Sequence, residues 1–102
     1  MDEKAIEAEI QSKGLNAARL SPAQIDDAIK SHSFYRFPNT VVTVCCITLK
    51  NGFNVIGQSA PVSAANFNEE IGNKIAFEDA RSKIWQLEGY LLREKLHISG
   101  KE

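Results

Sequence analysis

The chain has 102 residues, a formal net charge of −1, 25% charged residues of mixed sign and 43% hydrophobic ones, enough for one hydrophobic core and a single domain over 1–102. That balance lacks the basic footprint of a nucleic-acid binder, no apolar run approaches the ~18 residues of a membrane span, and the acidic start MDEKAIEAEI is the opposite of a secretion signal. The expectation is a soluble cytosolic protein with no membrane partner.

Residues 2–13 form a short, weakly amphipathic helix candidate, with Ile6 and Ile10 four apart and Gly14 as its stop, and 1–20 is expected to fray. Ser21-Pro22-Ala23-Gln24 is a clean helix start: serine caps, proline is tolerated at the first helical position and glutamine completes a capping box. The spacing predicts a helix over 22–31 that buries Ile25, Ala28 and Ile29. His32 to Phe37 follows, three aromatics with one histidine and one arginine, closed by Pro38-Asn39.

Residues 40–49 are dense in β-branched side chains and read as a strand; Asn51-Gly52 is a hairpin signal and 53–60 is the return strand. With a two-residue turn Lys50 faces Phe53, so Thr48 pairs with Val55, Cys46 with Gly57 and Val44 with Ser59. The other face then carries Leu49, Ile47, Ile56, Cys45 and Thr43. Both faces are largely apolar and both edges are open, so helices on one side cannot cover the hairpin. Cys45 and Cys46 are neighbours on a strand, pointing to opposite faces, and are read as reduced core residues.

Pro61-Val62-Ser63 turns the chain into the stretch everything else is organised around, a long helix over 66–96. Asn66 and Glu69 have capping-box spacing, Ser63 is an alternative earlier cap, and Glu70/Lys74 and Asp79/Lys83 are acid-first pairs four apart. Ala76, Phe77, Ala80, Ile84, Leu87 and Leu91 form one stripe, which Trp85, Leu92 and Leu96 widen to about half the circumference. Such a helix runs ~45 Å, against a radius of gyration near ~13 Å for a 100-residue domain. Part of it should overhang, covered either by the N-terminal helices or by a homo-oligomer seam. Gly72 and Gly89 each cost ~1 kcal/mol in a helix interior, so the helix bends there or something packs against bare backbone. The fold expected is α+β: two N-terminal helices, one β-hairpin and one long C-terminal helix, completed by oligomerisation.

No catalytic motif is present. A metal site needs converging ligands, whereas the two histidines, His32 and His97, lie far apart in the chain, and no metal and no cofactor are expected. Nucleophilic catalysis needs a Cys or Ser beside a base; Cys46 with His32 is conceivable but has no supporting motif, and the chain is read as no enzyme. Two clusters carry a binding reading beside a structural one. Tyr35, Arg36 and Phe37 suit a stacked ring and an anion, or else Phe34 and Phe37 plug the core while Tyr35 and Arg36 line its rim. Ile84, Trp85, Leu87, Glu88, Tyr90, Leu91 and Leu92 suit helix packing at an interface more than a ligand pocket. A small anionic ligand would sit at a subunit boundary, between Tyr35-Arg36 of one chain and a partner's helix start around Asn66 to Glu70, although Glu69 and Glu70 there oppose an anion.

The succession YRFPNT, NGFNVIGQSA, NFNEEIGNKIAFEDA and WQLEGYLL resembles a family of small tailed-phage and prophage proteins of unassigned function. The matching positions include Phe37, Gly52, Phe53, Gly57, Ser59, Asn66, Phe67, Gly72, Ala76, Ala80, Trp85, Leu87, Glu88, Gly89 and Leu91, which makes 21–97 a family-like core. The resemblance implies a phage accessory protein acting in the host cytoplasm and no catalytic residues. The function expected is a non-enzymatic counter-defence or host-takeover binding protein, which occupies a host protein or sequesters a small signalling nucleotide. The alternatives are an assembly accessory without ligand, or a weak nucleic-acid binder that the charge disfavours.

Overall fold

A computed structural model describes residues 2–15 and 17–101. The chain runs α1 (Glu3–Ser12), α2 (Pro22–Asp27), β1 (Ile29–Arg36), β2 (Thr43–Leu49), β3 (Asn54–Ser59), a 3-10 turn (Ala64–Asn66) and α3 (Glu69–Ile98). The class is α+β: an antiparallel sheet in the order β1-β2-β3 lies against one long helix, in a body of 53 × 31 × 19 Å. No helix among the described residues is long and apolar enough to cross a membrane.

The second helix begins at its expected signal, and the first lies within its expected span, capped by a residue for which the sequence reading named no role. The Asp2 carboxylate accepts from the Lys4 and Ala5 amides, and Ser21 and Gln24 close a reciprocal capping box. The helix expected over 22–31 stops at Asp27, however, and Ile29 opens a strand, so Ile25 is fully buried while Ala28 and Ile29 are half-buried. Asp26 and Asp27 place two carboxylates at the negative end of the helix dipole, which favours ending there. From Lys30 onward every residue of β1 is exposed, so the strand lacks the apolar alternation that marks one in sequence. The expected hairpin thus carries a third strand. Pro38 and Asn39, the latter at φ 62, turn β1 into β2, with the Thr40 amide donating to the Phe37 carbonyl.

The hairpin register differs by one residue from the expected one. Gly52 adopts φ 91 whereas Asn51 does not have positive φ, so the two-residue turn that needs both is not formed. Leu49 faces Phe53 across a three-residue loop, its amide donating to the Phe53 carbonyl at 2.8 Å, and the Gly52 amide donates back to Leu49 at 2.9 Å. Thr48 therefore pairs with Asn54, Cys46 with Ile56 and Val44 with Gln58. A one-residue slip turns the return strand over: Val55, Gly57 and Ser59 now share the buried face with Ile47, Cys45 and Thr43.

Against that face lies α3, and the core joins Ile25, Cys45, Ile47, Leu49 and Val55 to Ala76, Ala80 and Ile84. Small residues set the distance between the layers. A Cβ built at Gly57 would fall within contact of the Ala80 amide and the Ala76 carbonyl and 2.8 Å from Ala80 Cα, so only glycine lets β3 sit this close. α3 is one continuous helix through both of its glycines. Gly72 faces Thr43, whose Oγ1 would lie 3.3 Å from an added Cβ, whereas at Gly89 the nearest side-chain atom, Leu20 Cδ1, stands at an ordinary 3.9 Å. The helix begins three residues later than 66. Asn68, not Asn66, is the cap, accepting from the Ile71 amide at 3.0 Å, because Phe67 is extended and Asn66 ends the 3-10 turn that Ser63 caps.

The outer face of the sheet, with Val44, Cys46 and Thr48 half-buried and Ile56 47% exposed, has no helix over it among the described residues. At the far end of α3, Tyr90 is 71% exposed and Ile98 is likewise on the surface.

Candidate functional site

β1 is an edge strand, and its pairing sorts its side chains. His32, Phe34 and Arg36 pair with the inward residues Ile47, Cys45 and Thr43 and so face α3, whereas Ser33 and Tyr35 share the outer face with Cys46 and Val44. Because β1 extends beyond the part of the sheet that α3 covers, its helix-facing side chains line a groove instead of a core. The groove has a volume of about 310 Å³ and is bounded by His32, Phe34, Asn73, Lys74 and Phe77, with Glu70 and Glu78 at its margin. Its walls are aromatic: the His32 ring meets Phe34 edge-on at 5.4 Å and Phe77 at 5.0 Å. Lys74 supplies an ammonium, loosely paired with Glu70 at 3.5 Å on an exposed helix face. One residue pair further along β1 the Arg36 guanidinium lies 4.1 Å from the Phe67 ring centroid, and its Nε donates to the Thr40 carbonyl at 2.9 Å. Aromatic walls with an ammonium and a nearby guanidinium suit a flat ring carrying negative charge, and the two glutamates limit how much negative charge they accept.

The residues singled out in the sequence are thereby redistributed. Tyr35 and Arg36 lie on opposite faces of β1, so they do not grip one ligand together; Tyr35 is 57% exposed and packs edge-on to Phe37 at 5.1 Å. Arg36 does approach the segment before α3, within its own chain, through Phe67. Asn66 lies elsewhere, in a groove of about 310 Å³ shared with Gln58, Ser59, Asn68 and Ile71. In the helical cluster Ile84 belongs to the core, Trp85, Leu87, Glu88 and Leu92 are half-buried, and Tyr90 and Leu91 are exposed. Tyr90 and Leu91 border a groove of about 450 Å³ against Phe53 and Leu49 of the hairpin. Cys46 and His32 occupy opposite faces of the sheet, and Cys45, whose thiol burial and the neighbouring Cys46 push up, is enclosed. No cluster of three or more metal-ligating side chains occurs among the described residues.

A second constellation escaped the sequence reading. Arg81, 7% exposed, lies in the α3 stripe one turn from Phe77 and from Trp85. Its Nε donates to Asp26 at 2.8 Å, one Nη to Glu3 at 2.7 Å and the other to the Pro22 carbonyl at 3.4 Å, while Trp85 Nε1 donates to the same Glu3 oxygen at 2.9 Å. The Arg81 guanidinium and the Trp85 N–H hold the Glu3 carboxyl below the usual range, and the carboxylates in turn hold Arg81 fully charged. The available signal was an arginine interrupting an apolar stripe. Its partners lie 78 and 55 residues away in sequence, where no periodicity points.

No functionally curated protein and no solved structure matches the chain. The model of the Phage protein (N4 Gp49/phage Sf6 gene 66) family matches residues 20–96, beginning just before α2 and ending near the last turn of α3. With that span of a 102-residue chain matched, the protein belongs to the Phage protein (N4 Gp49/phage Sf6 gene 66) family, as the succession of motifs implied.

Proposed function

We propose that this phage protein acts without catalysis in the host cytoplasm as a counter-defence protein, by sequestering a small nucleotide-like ligand in the groove between β1 and α3. The observation that carries the reading is the convergence of His32, Phe34 and Phe77 walls with Lys74, and with Arg36 next along the strand. Rings stacked on aromatics and phosphates paired with cations are the two interactions a nucleotide needs, and the edge position of β1 leaves both open to solvent. A homo-oligomer belongs to the same reading. It is supported by the uncovered outer sheet face and by the exposed end of α3, where Tyr90 and Leu91 border the hairpin groove. A second copy there would cover apolar surface that this chain leaves wet.

The test begins with protein purified from infected or expressing cells, denatured and examined by mass spectrometry for a released nucleotide. Phe34→Ala and Lys74→Ala, both on exposed side chains, should retain the melting temperature and lose the nucleotide. Recovery of a stoichiometric host protein with no nucleotide would replace sequestration by occupation of a host target. Sedimentation at micromolar concentration tests the assembly: an oligomeric mass is expected, reduced to the monomer by Tyr90→Glu, and a monomeric wild type refutes it.

A further inference from the structure

No residue of α1 is fully buried, Ile10 being half-buried, and the specific contacts that seat the helix are charged. Glu7 pairs with Arg19 through two hydrogen bonds of 2.7 Å, and Glu3 delivers one carboxylate oxygen to Arg81 and to Trp85. Beneath α1 remains a cavity of about 590 Å³, walled mainly by Ile6, Ile10, Leu20, Pro22 and Trp85, with Arg81 on its α3 side. This volume falls in the range of small-molecule sites, and the lining has their usual composition, apolar walls with a few converging polar groups. The family match starts at residue 20, so the donors Arg81 and Trp85 lie within it and the helix that brings Glu3 lies outside.

A guanidinium and an indole N–H converging on one oxygen form a carboxylate receptor. Arg81 is oriented for that role by Asp26 and the Pro22 carbonyl, so its position does not depend on Glu3. We propose that Arg81 and Trp85 bind a small monocarboxylate with an apolar body, and that Glu3 is a tethered occupant which such a ligand displaces. The exchange keeps both hydrogen bonds, returns Glu3 to water and sets the ligand's body against Ile6, Ile10 and Trp85. It also selects charge. Glu78 stays at the rim of the cavity, where it disfavours a second carboxylate, and Glu7 is already neutralised by Arg19. The site shares Glu78 with the margin of the β1–α3 groove but none of that groove's aromatic or cationic residues, and it does not rest on the function proposed for that groove.

The chain has a single tryptophan, so Trp85 emission reports on the site directly. Octanoate is the probe, with octylammonium and the dicarboxylate suberate as controls, and calorimetry gives the affinities. A saturable emission change is expected with octanoate, at lower affinity for suberate and none for octylammonium. Glu3→Gln weakens the resident competitor from a charged to a neutral acceptor, which should tighten octanoate by about tenfold. Arg81→Gln should abolish binding, but losing a buried arginine endangers the fold, so the deciding comparison is wild type against Glu3→Gln. Equal octanoate affinity in those two proteins, no saturable change in either, or octylammonium binding as tightly as octanoate, each overturns the proposal.

Discussion

Replacing Gly57 by alanine tests how closely the sheet and α3 must approach. The added Cβ would stand 2.8 Å from Ala80 Cα, against an ordinary carbon–carbon contact of about 3.5–4.0 Å, with the Ala80 amide and Ala76 carbonyl closer still. All three are backbone atoms in the middle of a 30-residue helix, so no rotamer change relieves the overlap and β3 has to retreat from α3 by about 1 Å. A gap of that size forfeits a quarter to a half of the dispersion energy of the contacts it opens, here around Cys45, Ala76, Ala80 and Ile84. Overpacking of this kind costs about 3 kcal/mol, the upper part of its usual range and a large share of the ~5–15 kcal/mol that holds a domain. In urea the midpoint should fall by about 2 M at unchanged slope, and the melting temperature by about 12–24 °C. Ala80→Gly should not rescue the variant, because the clash is with the helix backbone and not with the Ala80 methyl. A loss below about 0.5 kcal/mol would refute the argument, by showing that the layers slide apart freely.

Gly89→Ala should act in the opposite direction: its nearest side-chain neighbour is at 3.9 Å and the position is helical, so calorimetry should find a gain of up to about 1 kcal/mol. Acid should release α1. Glu3 and Glu7 both titrate below their ordinary value of 4.5 because of Arg81 and Arg19, so the docking they provide is complete above that pH and fades as pH falls through their folded values, down to about 2 for Glu7. Trp85 emission should shift to the red across that window in wild type; an emission maximum constant between pH 5 and 2 would separate Trp85 from the Glu3 contact. In the folded monomer, as in the Tyr90→Glu protein, a thiol reagent followed by peptide mapping should label Cys46 and spare Cys45, whose thiol is enclosed and raised, and equal labelling would contradict the assigned sheet face.

What the sequence made legible follows from how local each signal is. The caps at Ser21 and the stripe through Ala76, Ala80 and Ile84 depend on residues within a turn or two of each other, and each emerged where expected. β1 did not, because its residues from Lys30 to Arg36 are exposed on both faces and alternate in no property that periodicity reads. The hairpin register turned on one dihedral: with Asn51 outside the positive-φ region, the same Asn-Gly pair closes a three-residue loop and every side chain of β3 changes face. That slip is what brings Gly57 against α3.

The candidate sites were less legible than the fold, since each depends on a pairing the sequence does not state. Tyr35 and Arg36 are adjacent in sequence, and adjacency on a strand is what places them on opposite faces. His32, Phe34 and Arg36 share a face only because β1 is a strand, so missing the strand meant missing the groove. Arg81 had a local signal, a charge within an apolar stripe, but its meaning came from Glu3 and Asp26, brought in by the two N-terminal helices. Of these two helices, α1 buries no residue and lies outside the family match, whereas α2 lies within it and contributes Ile25 to the core. A helix that brings one carboxylate to a buried arginine and an indole, and a second to Arg19, occupies donors that the family-matched segment already holds.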